Sequence, residues 1–365
     1  MRILILDTYY PSFLSHFYQQ HGEVAALCYE EQWRALQDEC FGTADFYSSN
    51  LKRLGHDAAE VIANSEPLQL QWLREHGIEP GRRRGLLSRL RGRVRNEWFE
   101  ATLAAQIRNY RPDVFYVQDM NCLSSAFIKE MKAFAKIVVG QIACPIVPGV
   151  SFREYDLVLS SFPHFVTEFR AEGLRSEYFN LGFEPKILGR LTNGSPRYAT
   201  VFVGSLLASH SRRISFLERI ASRVPVDTWG PGMETLSSDS PLREKYHGEA
   251  WALGMYEVLH RADIVLNHHI DLAQSYANNM RLYETTGVGS LLVTDWKENL
   301  GDLFEPGREV VAYQNPDECA ELIAYYLEHE NERKQIAQAG QQRTLGEHTY
   351  YHRMQELIGI LERCL

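Results

Sequence analysis

The run Ile264-Val265-Leu266, the segment Asn278-Asn279-Met280-Arg281-Leu282-Tyr283-Glu284-Thr285-Thr286-Gly287-Val288-Gly289, and the run Leu291-Leu292-Val293 closed by Thr294-Asp295 decide how this chain folds. Two short apolar runs flanking a segment that ends in glycine read as parallel strands joined by a helical crossover. Arg281 and Glu284, three residues apart, then sit at or near the start of a short helix, beside the carboxyl end of a strand. That edge is where an open α/β sheet binds ligands. A helix N-terminus offers free N–H groups and a positive dipole end, which suit a phosphate. Arg281 adds a fixed charge, and Glu284 can accept two hydroxyl hydrogen bonds of the kind a ribose 2′,3′-diol offers. The segment reads as a nucleotide-diphosphate site without a glycine-rich dinucleotide fingerprint. The alternative is a solvated i,i+3 pair on a helix surface.

The same alternation runs along the whole chain. Strands are expected at Ile3–Leu6, Val114–Val117, Ile137–Val139 and Leu157–Leu159 in the first half. In the second half they are expected at Thr200–Val203, Val226–Trp229, Ile264–Leu266, Leu291–Val293 and Val310–Ala312. Between the two sets, Leu191-Thr192-Asn193-Gly194-Ser195-Pro196-Arg197 is a cluster of breaker residues. The expected architecture is therefore α/β, with two Rossmann-like halves joined near residue 190. Pro316 suits a first helical turn, and Asn331 is expected to cap a further helix around Ile336. Met354, Leu357, Ile358 and Leu361 mark the apolar face of a last helix.

A chain of 365 residues fits two domains, and an apolar fraction of 45% is enough for two cores. A net charge of −9 argues against a general nucleic-acid binder, which needs a basic footprint. Met1-Arg2-Ile3-Leu4-Ile5-Leu6-Asp7 reads as a strand and loop, not as a signal peptide. No run approaches the roughly 20 apolar residues of a membrane span. A cytoplasmic location is expected, free or peripheral on the inner face of a membrane. The six cysteines lack paired close spacing and read as reduced thiols. One segment departs from the acidic whole: Arg82 to Arg95 holds seven arginines and no acid, with Leu86, Leu87, Leu90 and Val94 on one helical face. It suits an anionic membrane surface or an anionic acceptor, or it packs one face on its own domain.

Absences narrow the chemistry. The chain has no Gly-x-x-x-x-Gly-Lys loop, no His-Glu-x-x-His, no Asp-x-Asp pair and no Gly-x-Ser-x-Gly elbow. What remains is phosphate and sugar chemistry by positioning. Val203-Gly204-Ser205 ends the first strand of the second half, where a glycine lets backbone approach a ligand. His210, Arg212 and Arg213 follow, and two adjacent arginines can neutralise a diphosphate, unless they form an ordinary basic turn. Thr228-Trp229-Gly230-Pro231-Gly232 ends the next strand in a tight turn whose backbone can meet a base edge, with Trp229 either there or in the core. In the first half Asp7 closes the first strand, His16 lies a little beyond, and Asp119 follows Val114–Val117. His16 or Asp119 can act as general base toward an acceptor hydroxyl. His16, among Phe13, Phe17 and Tyr18, also fits a partly buried structural histidine.

Taken in order, several motifs of the second half resemble one family. They are Phe202-Val203-Gly204-Ser205, Tyr246-His247-Gly248, Met255-Tyr256, Ala262-Asp263-Ile264-Val265-Leu266-Asn267 and Asn279-x-Arg281-x-x-Glu284. Leu303-Phe304-x-Pro306-Gly307-x-Glu309-Val310, Ile336-Ala337-x-x-Gly340 and His348-Thr349-Tyr350-x-x-Arg353 continue the series. The chain resembles the group-one glycosyltransferases of the spore-maturation-protein type, related to glycosyltransferase family four, over roughly residues 155–360. The resemblance implies a GT-B fold, two Rossmann-like domains facing across a cleft. It divides the chain into an acceptor domain at 1–190, a nucleotide-sugar donor domain at 191–346, and a C-terminal helix at 347–365 that returns to the first domain. It implies a nucleotide-diphosphate sugar as donor substrate, no metal or other cofactor, and a glycan, lipid-linked or protein acceptor.

Carried over by position, Glu284 binds the donor ribose, while Gly204, Arg212 and Arg281 face the diphosphate or donor sugar. Ser205, Arg213 and Gly230 join this donor set through their loops, and Asn278 and Asn279 are placed for donor hydroxyls. One departure stands out: family-four enzymes carry a second glutamate eight residues before the ribose-binding one, and here that position is Tyr276. Retention is favoured, with a donor phosphate oxygen taking the acceptor proton. Inversion would need a base such as Asp119 or His16. A sugar-nucleotide 2-epimerase of the same architecture and a non-catalytic GT-B scaffold are the alternatives.

Overall fold

In the computed structural model, which describes residues 1–79, 97–192, 198–207 and 211–365, the chain forms two compact units. One comprises Met1–Phe179 and Met354–Leu365, the other Asn180–Arg353. The segment Arg82–Arg95, residues 193–197 of the breaker cluster, and His210 lie outside the described residues.

The first unit is built on a parallel sheet of β1 (Arg2–Asp7), β2 (Asp57–Ile62), β3 (Val114–Val117), β4 (Ile137–Gln141), β5 (Leu157–Ser160) and β6 (Ser176–Tyr178), ordered β2-β1-β3-β4-β5-β6. β3, β4 and β5 are buried at every residue, as expected of strands covered on both faces. β2 and β6 are additions to the sequence reading. Both lie at sheet edges, where one side of the ladder is open and the apolar signal is weak. β2 begins Asp57-Ala58-Ala59-Glu60, and β6 is only Ser176-Glu177-Tyr178.

The second unit carries β7 (Tyr198–Val203), β8 (Asp227–Trp229), β9 (Ala262–Asn267), β10 (Leu291–Asp295) and β11 (Val311–Tyr313), all parallel, in the order β11-β10-β9-β7-β8. Its core joins Leu217 and Ile220 of one covering helix and Ile323 of another to Ile264, Leu266, Leu291 and Val293 of the sheet. Strand order reverses between β1 and β3 in the first unit and between β7 and β9 in the second. Loops leaving two such strands diverge and open a crevice at their carboxyl ends. Asp7 and Asp119 flank that point in the first unit, and Gly204 and His268 flank it in the second.

Three details differ from the sequence reading. Residues 180–190, assigned there to the first domain, pack with the second unit. The Phe183 amide donates to His348 O at 2.9 Å, and its carbonyl accepts from the Tyr350 amide at 2.9 Å. The Phe183 ring occupies the space beside Gly287, where a Cβ would meet it at 2.4 Å. Asn331 is inside a helix rather than at its cap, because Glu330–Glu347 already starts after His329. In the final helix, Met354, Leu357 and Leu361 are fully buried while Ile358 is only partly so. Among the described residues no helix is long and apolar enough to cross a membrane.

The loops after β7 and β8 meet backbone to backbone. The Gly204 amide donates to Trp229 O at 2.9 Å and the Leu206 amide to Pro231 O at 2.7 Å. Gly230 has φ of +138°, and a Cβ there would lie 2.0 Å from Gly204 O. Gly230→Ala therefore meets both strain and a backbone clash. It should lower the unfolding free energy by about 3 kcal/mol in denaturant titration; an unchanged midpoint would contradict this packing.

Candidate functional site

The helix Met280–Val288 begins at Asn279, whose extended backbone forms the cap position but whose side chain does not cap the first turn. Asn279 Nδ2 instead donates to Asn267 Oδ1 at the end of β9, at 2.8 Å, and Asn267 Nδ2 donates to Thr294 Oγ1 of β10, at 2.9 Å. The helix start is thereby locked to the carboxyl ends of two adjacent strands. Its first-turn N–H groups carry no side-chain cap, the arrangement that suits an anion.

Arg281 and Glu284 come together directly. Arg281 Nη1 lies 2.8 Å from Glu284 Oε2, and Arg281 Nη2 donates to Val203 O at 3.2 Å, so one side chain ties the helix to the end of β7. Both terminal nitrogens also reach Met255 Sδ at 3.3 Å. Glu284 is 5% exposed, which rules out the solvated surface pair. Burial pushes its carboxyl above the ordinary range, opposed by the Arg281 charge and a Tyr256 hydrogen bond.

The two adjacent arginines separate. Arg213 turns inward: Nη2 donates to Ser205 O, the guanidinium sits 5.8 Å over the Phe202 ring, and burial pushes its pKa down to about 10. Arg212 points outward to an exposed partner, Asp271, at 3.5 Å. Gly230 already has partners for both peptide groups, since its amide donates to Gly248 O and its carbonyl accepts from Tyr246 Oη. Trp229 is buried and stacked on His247 with centroids 4.4 Å apart, so it belongs to the core.

Sequence reasoning missed a buried network beside this helix. His269 Nδ1 lies 2.7 Å from Asp295 Oδ1, the His269 amide donates to the same oxygen, and His269 Nε2 faces the Asn278 amide at 3.4 Å. These partners assign the tautomer with the proton on Nδ1. Lys297 Nζ stands 3.2 Å from Asp295 Oδ2. Burial works to raise the Asp295 carboxyl, but His269, His268 and Lys297 together hold it well below the usual carboxylate range. His268 stacks on Phe216 at 4.1 Å, and its Nδ1 faces Tyr313 Oη at 3.1 Å. The available signal was positional: β9 and β10 pair Asn267 with Thr294, so the next residues of both strands must meet.

In the first unit, Thr8 joins two carboxylates. Its amide donates to Asp7 Oδ1 at 2.8 Å and its hydroxyl to Asp119 Oδ2 at 2.6 Å. Thr43 Oγ1 donates to Gln118 Oε1 at 3.0 Å, with a longer contact to Asp7. Burial, then the Asp119 charge, raise Asp7 to about 7, against the lowering effect of the Thr8 and Thr43 hydrogen bonds. Asp7 is therefore the carboxyl able to hold or release a proton near neutrality. His16 is not brought to this pair. It lies exposed on the outer face of helix Pro11–Gln20, whose buried residues are Phe13, Leu14 and Phe17, and it hydrogen-bonds to neither carboxylate.

Residues 212–359 match the family described as glycosyl transferase-like. That match lies mostly within the second unit and covers less than half of the chain. Solved structures with the same fold include HepE from Anabaena in complex with UDP and glucose, with a TM-score of 0.62, 14% identity and 100% of both chains covered. A glycosyltransferase from Rickettsia africae ESF-5 aligns with a TM-score of 0.59 and 12% identity, over 100% of this chain and 98% of that one. Sucrose-phosphate synthase from Thermosynechococcus elongatus aligns with a TM-score of 0.57 and 11% identity, over 100% and 99%. The fold is that of the GT-B glycosyltransferases. No curated protein matches the sequence. Among the described residues, no cluster of three or more His, Cys, Asp or Glu side chains is arranged to hold a metal ion.

Within the second unit, Asp295→Asn would leave His269 and Lys297 without their shared carboxylate. It should cost about 3 kcal/mol at pH 7. Because the folded-state Asp295 stays ionised below its unfolded value, its stabilisation is present at neutrality and fades as pH falls. The gap between wild type and variant should therefore narrow below about pH 4. A gap that is constant from pH 7 to pH 2 in thermal unfolding would contradict the network.

Proposed function

We propose that this protein transfers a sugar from a nucleotide-diphosphate donor to an acceptor hydroxyl. The observation that carries this reading is the buried Arg281–Glu284 pair, set at an uncapped helix start beside the reversal point of a glycosyl transferase-like sheet. Glu284 accepts the donor ribose hydroxyls. The helix N-terminus, Arg281 and Arg213 oppose the charge that develops on the leaving diphosphate, so the transfer proceeds without a metal and survives EDTA. UDP and glucose bound in HepE support starting with a uridine nucleotide. A glycan, lipid-linked or protein hydroxyl is the acceptor.

Glu284→Gln keeps the side-chain volume while removing the charge. Wild type should be stabilised by one nucleotide diphosphate among UDP, GDP, TDP and CDP in calorimetry. The variant should bind that nucleotide at least tenfold more weakly, a loss of about 1.4 kcal/mol or more. Absence of binding to any of the four would overturn the donor site.

Retention is the favoured course, with a donor phosphate oxygen receiving the acceptor proton on the same face. Asp7→Asn should then leave turnover within about threefold of wild type, because no carboxylate base is needed. A fall of about a hundredfold or more, with an inverted product anomer, would assign general-base catalysis to Asp7.

A further inference from the structure

Gln274–Asn279 lead into the helix that bears Arg281 and Glu284, and they belong to no helix or strand of their own. Ordering such a stretch costs backbone entropy at each residue, and its buried peptide groups need partners.

The residues that follow β10 supply those partners, in matching chain order. Lys297 Nζ donates to Gln274 O at 2.7 Å, and the Glu298 amide donates to Ser275 O at 2.9 Å. Asn299 takes both peptide groups of Ala277. Its Oδ1 accepts from the Ala277 amide at 2.6 Å, and its Nδ2 donates to the Ala277 carbonyl at 3.0 Å. One residue on, His269 Nε2 faces the Asn278 amide at the longer distance of 3.4 Å. Residues 297–299 therefore carry the β9–β10 pairing beyond Asn267 and Thr294, with side chains standing in for main chain.

Asn299 is the centre of this brace. Its two bonds fix the orientation of its amide, and Ala277 is fully buried, so solvent cannot take over the contact. Gln274, at one end, has φ of +50° and ψ of −123°, a conformation that residues with a side chain rarely adopt. Such geometry persists only where surrounding contacts impose it. Lys297, itself 3.2 Å from Asp295, holds the Gln274 carbonyl in place. At the other end the Asn279 side chain is tied to Asn267. The uncapped helix start is thus set by two anchors, one on β9 through Asn279 and one after β10 through Asn299.

We propose that Asn299 is a positioning residue of the donor site, rigid before any ligand arrives, that holds the helix start where the terminal phosphate of the donor meets it. This inference rests on the donor reading of Glu284. With the ribose on Glu284, one turn into the helix, the diphosphate reaches back to the start that Asn299 fixes. Preorganised N–H groups oppose its charge without having to move. Asn299 acts through Ala277 and does not itself touch the donor.

The test compares the mono- and diphosphates of uridine, guanosine, thymidine and cytidine by calorimetry on the full chain. For the nucleoside whose diphosphate binds wild type, Asn299→Ala should weaken the diphosphate tenfold or more and leave the monophosphate within twofold. Glu284→Gln should weaken both. Hydrogen exchange on wild type, which needs no variant, should find the Tyr276, Ala277 and Asn278 amides protected before nucleotide is added. Unchanged diphosphate affinity in Asn299→Ala, or loss in step with the monophosphate, would overturn the role of Asn299 and leave the Glu284 site standing. So would unprotected exchange of those amides until nucleotide binds, because the ligand would then order the segment. Binding of no diphosphate to wild type would overturn the donor reading itself, and this inference with it.

Discussion

The Arg281 guanidinium ties three parts of the second unit together. It pairs with Glu284 on its own helix, donates to the last carbonyl of β7, and lies against Met255 on another helix. β7 and β9 are the strands between which the order reverses, so nothing in the ladder beyond their ends fixes the loops that leave them. A planar, permanently charged fork is suited to bridging such a gap, because it satisfies several acceptors in fixed geometry. Burying that charge demands a partner, and Glu284 supplies it. The same two groups are therefore structural and, in the proposed reaction, functional.

The loops around that bridge are held by backbone contact rather than by side chains. Gly230 lies so close to Gly204 that no Cβ fits between them, and both Gly230 peptide groups have partners. These glycines shape the site without being free to bind through that amide. Arg213 reinforces the loop by donating to Ser205 O, while its neighbour Arg212 spends its charge on an exposed carboxylate. Of two adjacent arginines, only the one turned into low dielectric carries an electrostatic effect of consequence.

Charge placement differs between the two units. At the reversal point of the first sheet, two carboxylates share one threonine, and their mutual repulsion adds to burial in raising Asp7. At the carboxyl edge of the second sheet, Arg281 pairs with Glu284, while Lys297 and His269 meet Asp295. One edge holds a carboxyl raised toward neutrality, while the other pairs each of its carboxylates with a cation.

The sequence by itself determined the two parallel sheets, because central strands covered on both faces must be continuous apolar runs. It also determined the helix bearing Arg281 and Glu284, whose spacing places both on one face. Edge strands β2 and β6 were not legible, since an open edge tolerates Asp57, Ala59 and Glu177 as well as apolar residues. Only the tertiary structure decided that Asp7 rather than His16 meets Asp119, because helix Pro11–Gln20 spends its inward face on Phe13 and Phe17 and turns His16 to solvent. The burial of the Arg281–Glu284 pair and the meeting of His269 with Asp295 were also tertiary decisions. Each depends on strand order and register, which bring together residues that no local spacing relates.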